Sequence, residues 1–149
     1  MAKERKTVQI QITNLIRQMD ALEKTEMTVP GVFYRDAGNI YLHYEEKQVA
    51  GNIRSVLKIS EKELLLLRSG AVNMRLHFFK DRKRSTASVD SGAGKLVFES
   101  ELVGYNETFQ EEAEVRGEVA FQYDLLSAGT YIGSYEVTMR IEEAPDEFS

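Results

Sequence analysis

The side chains that could do chemistry in this chain are few, and their spacing limits what that chemistry can be. There are two histidines, His43 and His77, and no cysteine. Thiol nucleophiles, thiolate metal ligands and redox pairs are thereby excluded, and a reducing, cytoplasmic setting is expected. Zinc usually takes three or four protein ligands, so two histidines with a carboxylate such as Glu45 beside His43 make a poor set. Both read as surface or rim residues, and neither a metal site nor a cofactor is predicted. The carboxylate pairs Glu45-Glu46 and Glu111-Glu112 are sequence neighbours. In an extended strand such neighbours point to opposite faces, which prevents them acting on one bond. There is no Ser-His-Asp set, no Gly-x-Ser-x-Gly elbow and no dinucleotide fingerprint, and Gly92 and Gly94 lack the lysine and following helix of a phosphate loop. The chain reads as a non-enzyme with no catalytic residue.

The run Lys80-Asp81-Arg82-Lys83-Arg84 holds four cations in five residues. At a strand end such a run reads as a solvated turn that keeps an edge from pairing. The net charge of −5 also argues against a nucleic-acid partner, because affinity for a phosphate backbone comes from concentrated Lys and Arg. The start, Met-Ala-Lys-Glu-Arg-Lys, lacks the apolar core of a signal peptide, and the longest aliphatic run is Leu64 to Leu67, so no membrane span is predicted.

What remains is an aromatic and methionine row, and the elements that position it are strands. The centre of the pattern is a hairpin: Leu64 to Leu67 run into a predicted turn at Arg68-Ser69-Gly70, and Val72, Met74, Leu76 and Phe78 then alternate with polar neighbours. Gly70 suits a turn needing positive φ. Strands are likewise expected at Thr7–Ile12, around Met27, Val29, Gly31 and Phe33 with a bulge or bend at Pro30-Gly31, at Asn39–Glu46, and at Ile53–Ile59 interrupted by Ser55. Residues 13–24 fit a short helix or a hairpin tip around Asp20, with a lean to the hairpin. Ser85–Val89, Leu96–Leu102, Val115–Leu125 and Tyr131–Ile141 complete the series. Turn-rich Asp90-Ser91-Gly92-Ala93-Gly94, an acidic loop around Asn106, Glu107, Glu111 and Glu112, and a frayed tail from Glu142 to Ser149 are expected between and after them.

A strand about every ten residues, with short connections, is a meander of antiparallel neighbours in one domain. A long meander removes its free edges most completely by closure, so the predicted fold is all-β, a closed or nearly closed up-and-down barrel; a sandwich is the runner-up. The apolar rows then face a common interior. They bring Tyr44, Tyr123 and Tyr135 beside Met74 and Met139, with Gly117 and Gly133 removing volume or letting bulky neighbours interlock.

Arg68-Ser69-Gly70-Ala71-Val72-Asn73-Met74-Arg75-Leu76, with Gly31-Val32-Phe33-Tyr34, Tyr41-Leu42-His43-Tyr44-Glu45-Glu46 and Gly117-Glu118-Val119-Ala120-Phe121-Gln122-Tyr123-Asp124-Leu125, resembles the YwiB-like family of small bacterial proteins of unknown function. The resemblance spans most of the chain. It implies a calycin-type, lipocalin-like β-barrel and carries no activity, ligand or catalytic residue with it. Relatives tend to have a Ser/Thr-Pro-Tyr-Gly turn where this chain has Val89 to Gly94. Two functional expectations follow. The first is a barrel that binds a small, mostly apolar molecule, with Tyr44, Tyr123 and Tyr135 as polar anchors, since a barrel interior is either just filled or holds one small ligand. The second is a solid-core interaction module working through its outer surface, for example the Arg68-Ser69-Gly70 turn, or as a homodimer.

Overall fold

Period-two alternation of apolar and polar residues makes this chain a strand former nearly from end to end, and the structure follows it. The structure, a computed structural model, describes residues 4–90 and 92–144. Among them are ten strands: β1 (Lys6–Gln18), β2 (Ala21–Asp36), β3 (Asn39–Glu46), β4 (Ile53–Ile59), β5 (Glu63–Gly70), β6 (Asn73–Phe79), β7 (Ser85–Asp90), β8 (Lys95–Gln110), β9 (Arg116–Ser127) and β10 (Thr130–Glu143). Each pairs antiparallel with its neighbours in sequence, and β10 returns to β1, so the sheet is a closed barrel with no crossover. The closing ladder runs from Val8 opposite Glu143 to Arg17 opposite Ser134. No helix among the described residues is long and apolar enough to cross a membrane.

The core is the shared inner face. Val8, Ile10 and Ile12 on β1, Leu42 and Tyr44 on β3, Leu57 on β4, Leu64 and Leu66 on β5, and Val119, Phe121 and Tyr123 on β9 are all buried. The residues between them on each strand are polar or half-exposed, as the pleat requires. The apolar run Leu64–Leu67 obeys the same rule: Leu64 and Leu66 are buried, while Leu67 is 41% exposed.

Several expectations need correcting. The hairpin reading of residues 13–24 holds, with β1 and β2 pairing in unbroken register to Gln18 and Ala21. That same register passes through Pro30 and Gly31 without a bulge. Arg68, Ser69 and Gly70 are not a turn but the end of β5, paired with Ser55, Arg54 and Ile53; the chain reverses at Ala71 and Val72. Gly70 nevertheless has φ +117, and a Cβ there would lie 2.2 Å from the Asn52 carbonyl oxygen, so the position requires glycine.

Asn106 and Glu107 are not loop but strand, because β8 continues to Gln110. A bulge between Leu102 and Gly104 shifts the alternation by one residue, so that Tyr105 and Phe109 pack against the core instead of their even-numbered neighbours. That shift hides the strand from a period-two reading. A second bulge between Tyr131 and Gly133 takes Tyr131 off the inner row and leaves it exposed. Glu142 and Glu143 are not frayed: they end β10, and the Glu143 and Ala144 amides bond the Val115 and Thr7 carbonyls. Ser91 and the tail residues Pro145 to Ser149 lie outside the described residues.

Antiparallel order puts the β1–β2, β3–β4, β5–β6, β7–β8 and β9–β10 connections at one end of the barrel and the remaining ones at the other. The second end is covered by the far part of β8 and its loop. Phe109 packs on Phe33, Arg35 makes a two-pronged ion pair with Glu111 at 2.7 Å, and Lys80 lies over the Tyr105 ring. The Phe109 ring also occupies the space above Gly117, its cross-strand partner, where a Cβ would lie 2.3 Å from the ring. Gly117 therefore serves interlocking and opens no room. Gly117→Ala should lower stability by about 1–3 kcal/mol through overpacking, read as a reduced urea midpoint at unchanged slope.

Candidate functional site

At the opposite end the interior is not filled. A cavity of about 360 Å³ lies between the β1–β2 hairpin and the rim formed by β3, β5 and β6. Its wall includes Ile12, Leu15, Ile16 and Met27 from the hairpin, Leu66 and Leu76 from the short strands, and Val137 from β10. All five interior residues expected to meet a ligand, Tyr44, Tyr123, Tyr135, Met74 and Met139, line this one space. The reason is local geometry: β2 pairs with β3 only from Gly31 onward, so residues 21–30 of β2 rise above the β3 rim and leave the cavity a side opening.

The aromatic members form a stack running inward. Tyr135 lies parallel to Tyr123 at 5.0 Å between centroids, and Tyr123 meets Phe78 at 4.6 Å. The Tyr135 hydroxyl accepts a hydrogen bond from Gln18 Nε2 at 2.8 Å, which ties it to the tip of β1. Gly133 lies beside that hydroxyl, 3.4 Å from where its Cβ would be. Tyr44 and Tyr123 are buried. Burial pushes the Tyr44 phenol up to about 12, opposed by the cation of Arg68. Burial also raises Tyr123, with Tyr135 adding to the shift and Arg68 again opposing it.

Sequence reasoning placed the tyrosines but missed the ions among them. Glu46 follows Ile40, Leu42 and Tyr44 on the inner row of β3 and is only 6% exposed; Arg68 follows Leu64 and Leu66 on β5. Arg68 Nη2 donates to Glu46 Oε1 at 2.8 Å, and Gln48 Nε2 donates to the other carboxylate oxygen at 3.1 Å. Ser55, directly between Tyr44 and Arg68 in the ladder, is buried too. Arg68 Nε reaches no hydrogen-bond partner, whereas the Ser55 hydroxyl beside Tyr44 favours the ionised phenol and so opposes the effect of burial. The signal for Glu46 and Arg68 was in the alternation itself, which simply continues past the apolar residues. The predicted Arg68-Ser69-Gly70 feature thus splits: Arg68 lines the cavity, Ser69 is exposed, and Gly70 keeps the strand end close to Asn52.

The remaining polar candidates lie elsewhere. His43 shares a hydrogen bond with the Tyr34 hydroxyl at 2.9 Å, while Glu45 accepts from Asn52. His77 is held between Ser85 Oγ and Glu63 Oε1, a contact that the sequence does not announce. It sits where registered β6–β7 pairing stops at Leu76 and Ala87, and the Ser100 hydroxyl donates to the His77 carbonyl at 2.5 Å. These side chains stitch the seam that the ladder leaves open. Among the described residues no three His, Asp or Glu gather as a metal set. In the basic run, Lys80 faces Glu107 at 3.7 Å, Lys83 faces Asp81 and Arg84 faces Glu99, so much of its charge is met locally.

A family model described as "Domain of unknown function (DUF1934)" matches residues 10–139. The chain belongs to the DUF1934 family. It is 25% identical over 123 residues to the "Uncharacterized beta-barrel protein YwiB" of Bacillus subtilis (strain 168), covering 83% of this chain and 84% of that one. The crystal structure of the ywiB protein from Bacillus subtilis superposes with a TM-score of 0.81 at 23% identity, over 95% of this chain and 94% of that one, which establishes the shared barrel fold. The YwiB-like resemblance drawn from the signature segments is therefore correct, and the family to which it leads has no assigned activity.

Two outcomes test the site's electrostatics. Arg68→Met strands the Glu46 carboxylate and should cost about 3 kcal/mol, whereas the double variant with Glu46→Gln should recover most of that loss in urea unfolding. At high pH the buried phenols set the limit. Below about pH 10 folded and unfolded chains both keep their tyrosine protons; above it the unfolded chain ionises while Tyr44 stays neutral up to about 12. Stability should therefore be intact below pH 10 and fall between about 10 and 12, and Tyr44→Phe should flatten that fall in thermal melts.

Proposed function

We propose that this protein is a cytoplasmic, non-enzymatic barrel that binds one small, mostly apolar molecule in its interior, with Tyr44, Tyr123 and Tyr135 as polar anchors and Met74 and Met139 in the wall. The observation that carries this reading is the unfilled end of an otherwise packed core. Protein interiors close-pack, so a cavity of about 360 Å³ with an opening departs from the usual outcome. It falls at the small end of the roughly 300–1,000 Å³ typical of ligand pockets. Its wall has the matching character, mostly apolar with a few convergent polar groups. The calycin-like resemblance agrees with an interior site, although a fold alone never assigns a function.

On the outer surface Leu67 and Val97 are exposed with Arg75 and Ser88 between them along the ladder, while on its other side Leu67 is followed by Val56, His43 and Val32 along an open groove of about 810 Å³.

Native mass spectrometry of freshly purified protein should show a bound species below about 400 Da that organic extraction removes, a mass set by the cavity size. An environment-sensitive probe such as aminoanthracene should bind the stripped protein at one site. Met74→Trp, which fills the mouth from a half-buried position, should weaken that binding at least roughly tenfold while leaving the circular dichroism spectrum unchanged. Unaltered binding by Met74→Trp would place the probe elsewhere and remove the basis for an interior site.

A further inference from the structure

The polar groups around the cavity specify more than a greasy ligand. Glu46 and Arg68 enter its wall as a bonded pair, and among the described residues the lining holds no second cation, so the surroundings are close to neutral. Nη2 makes the bond to Glu46, and the Arg68 side chain, 22% exposed, lines the cavity with further N–H groups left to donate. The phenols of Tyr44 and Tyr123 are close enough to Arg68 to feel its charge. A guanidinium donates but cannot accept, and the Tyr44 and Tyr123 hydroxyls can donate or accept, so the cavity wall offers an incoming oxygen hydrogen-bond donors.

The charge of that oxygen is decided by Glu46. A ligand carboxylate could take an Arg68 N–H, but one guanidinium would then face two carboxylates in a partly desolvated space, and like charges there repel strongly. A neutral oxygen accepts the same hydrogen bond without that repulsion. An ammonium head fares no better, since the Glu46 charge is already offset by Arg68.

We infer that the cavity selects an uncharged amphiphile, an alcohol, ketone or ester on a short hydrocarbon chain, whose oxygen accepts from Arg68 beside Tyr44 and Tyr123, and that Glu46 turns carboxylates away. The inference rests on the interior-ligand reading and narrows it to a class of head group. Glu46 is then a specificity-determining residue, and the tyrosine stack and methionines hold the chain of the molecule.

The test is displacement of aminoanthracene from the stripped full-length protein at neutral pH by three molecules of one chain length: decanol, decanone and decanoate. The expected result is that decanol and decanone displace the probe at concentrations at least roughly tenfold lower than decanoate does, and that Glu46→Gln erases this gap by admitting decanoate. Decanoate acting as well as or better than the neutral pair on the unaltered protein overturns the inference. So does a gap that persists in a Glu46→Gln variant whose circular dichroism matches the parent. Failure of all three molecules to displace the probe, or of the probe to bind, overturns the interior-ligand reading itself.

Discussion

Everything in this structure depends on the ladder between β1 and β10. It joins the two ends of the chain, from Val8 opposite Glu143 to Arg17 opposite Ser134, and it converts a ten-strand meander into a ring. Without it, two long strands would each show an unpaired row of backbone donors and acceptors, and the inner rows of β1 and β10 would lose their shared interior. With it, Ile10 and Ile12 of β1 meet Ile141 and Met139 of β10 in one core, although the two strands are far apart in sequence. The most local of structures, hairpins of neighbouring strands, is thus completed by the least local contact in the molecule.

Closure alone does not dictate what the interior holds. The two ends of the barrel solve that problem differently. At one end β8 runs on past its bulge, and Phe109 and Tyr105 cover the core with Arg35 and Glu111 pinned across the outside. At the other, the β1–β2 hairpin overtops β3, and the space below it is bounded by tyrosines and an ion pair rather than plugged. Keeping Glu46 and Arg68 inside is not a route to stability, since a buried pair often contributes less than well-packed apolar residues of the same size. The interior-ligand proposal gives such a pair, placed where a cavity opens, a role other than stability. The DUF1934 family to which the chain belongs carries no assigned activity.

Much of the fold could be read in advance, because period-two alternation is a strong signal wherever one face is buried and the other wet. The strands around Ile40, Leu57, Phe78, Phe121 and Met139 followed directly from it, as did the inward direction of Tyr44, Tyr123 and Tyr135. It failed where the period breaks. The bulges at Leu102/Gly104 and Tyr131/Gly133 each move the following residues to the other face, so Asn106 and Glu107 looked like loop and Tyr131 looked like core. It also failed where a polar residue sits on an inner row. Glu46 and Arg68 obey the alternation, but their chemistry argued for solvent, and only a partner from another strand makes their burial tolerable.

The sequence by itself determined the class of structure: strand after strand with short turns, one apolar face on each, no thiol chemistry, and a glycine at position 70 free to take positive φ. These are consequences of local sterics and of which side chains water rejects, and they need no knowledge of distant contacts. The tertiary structure decided which end of the barrel is sealed and which is open, that Phe109 spends the room left by Gly117, and that Ser85 meets His77 across an unpaired seam. Those outcomes depend on strand length, register and bulge position acting together around a closed ring, and each is fixed only when the last strand has paired with the first.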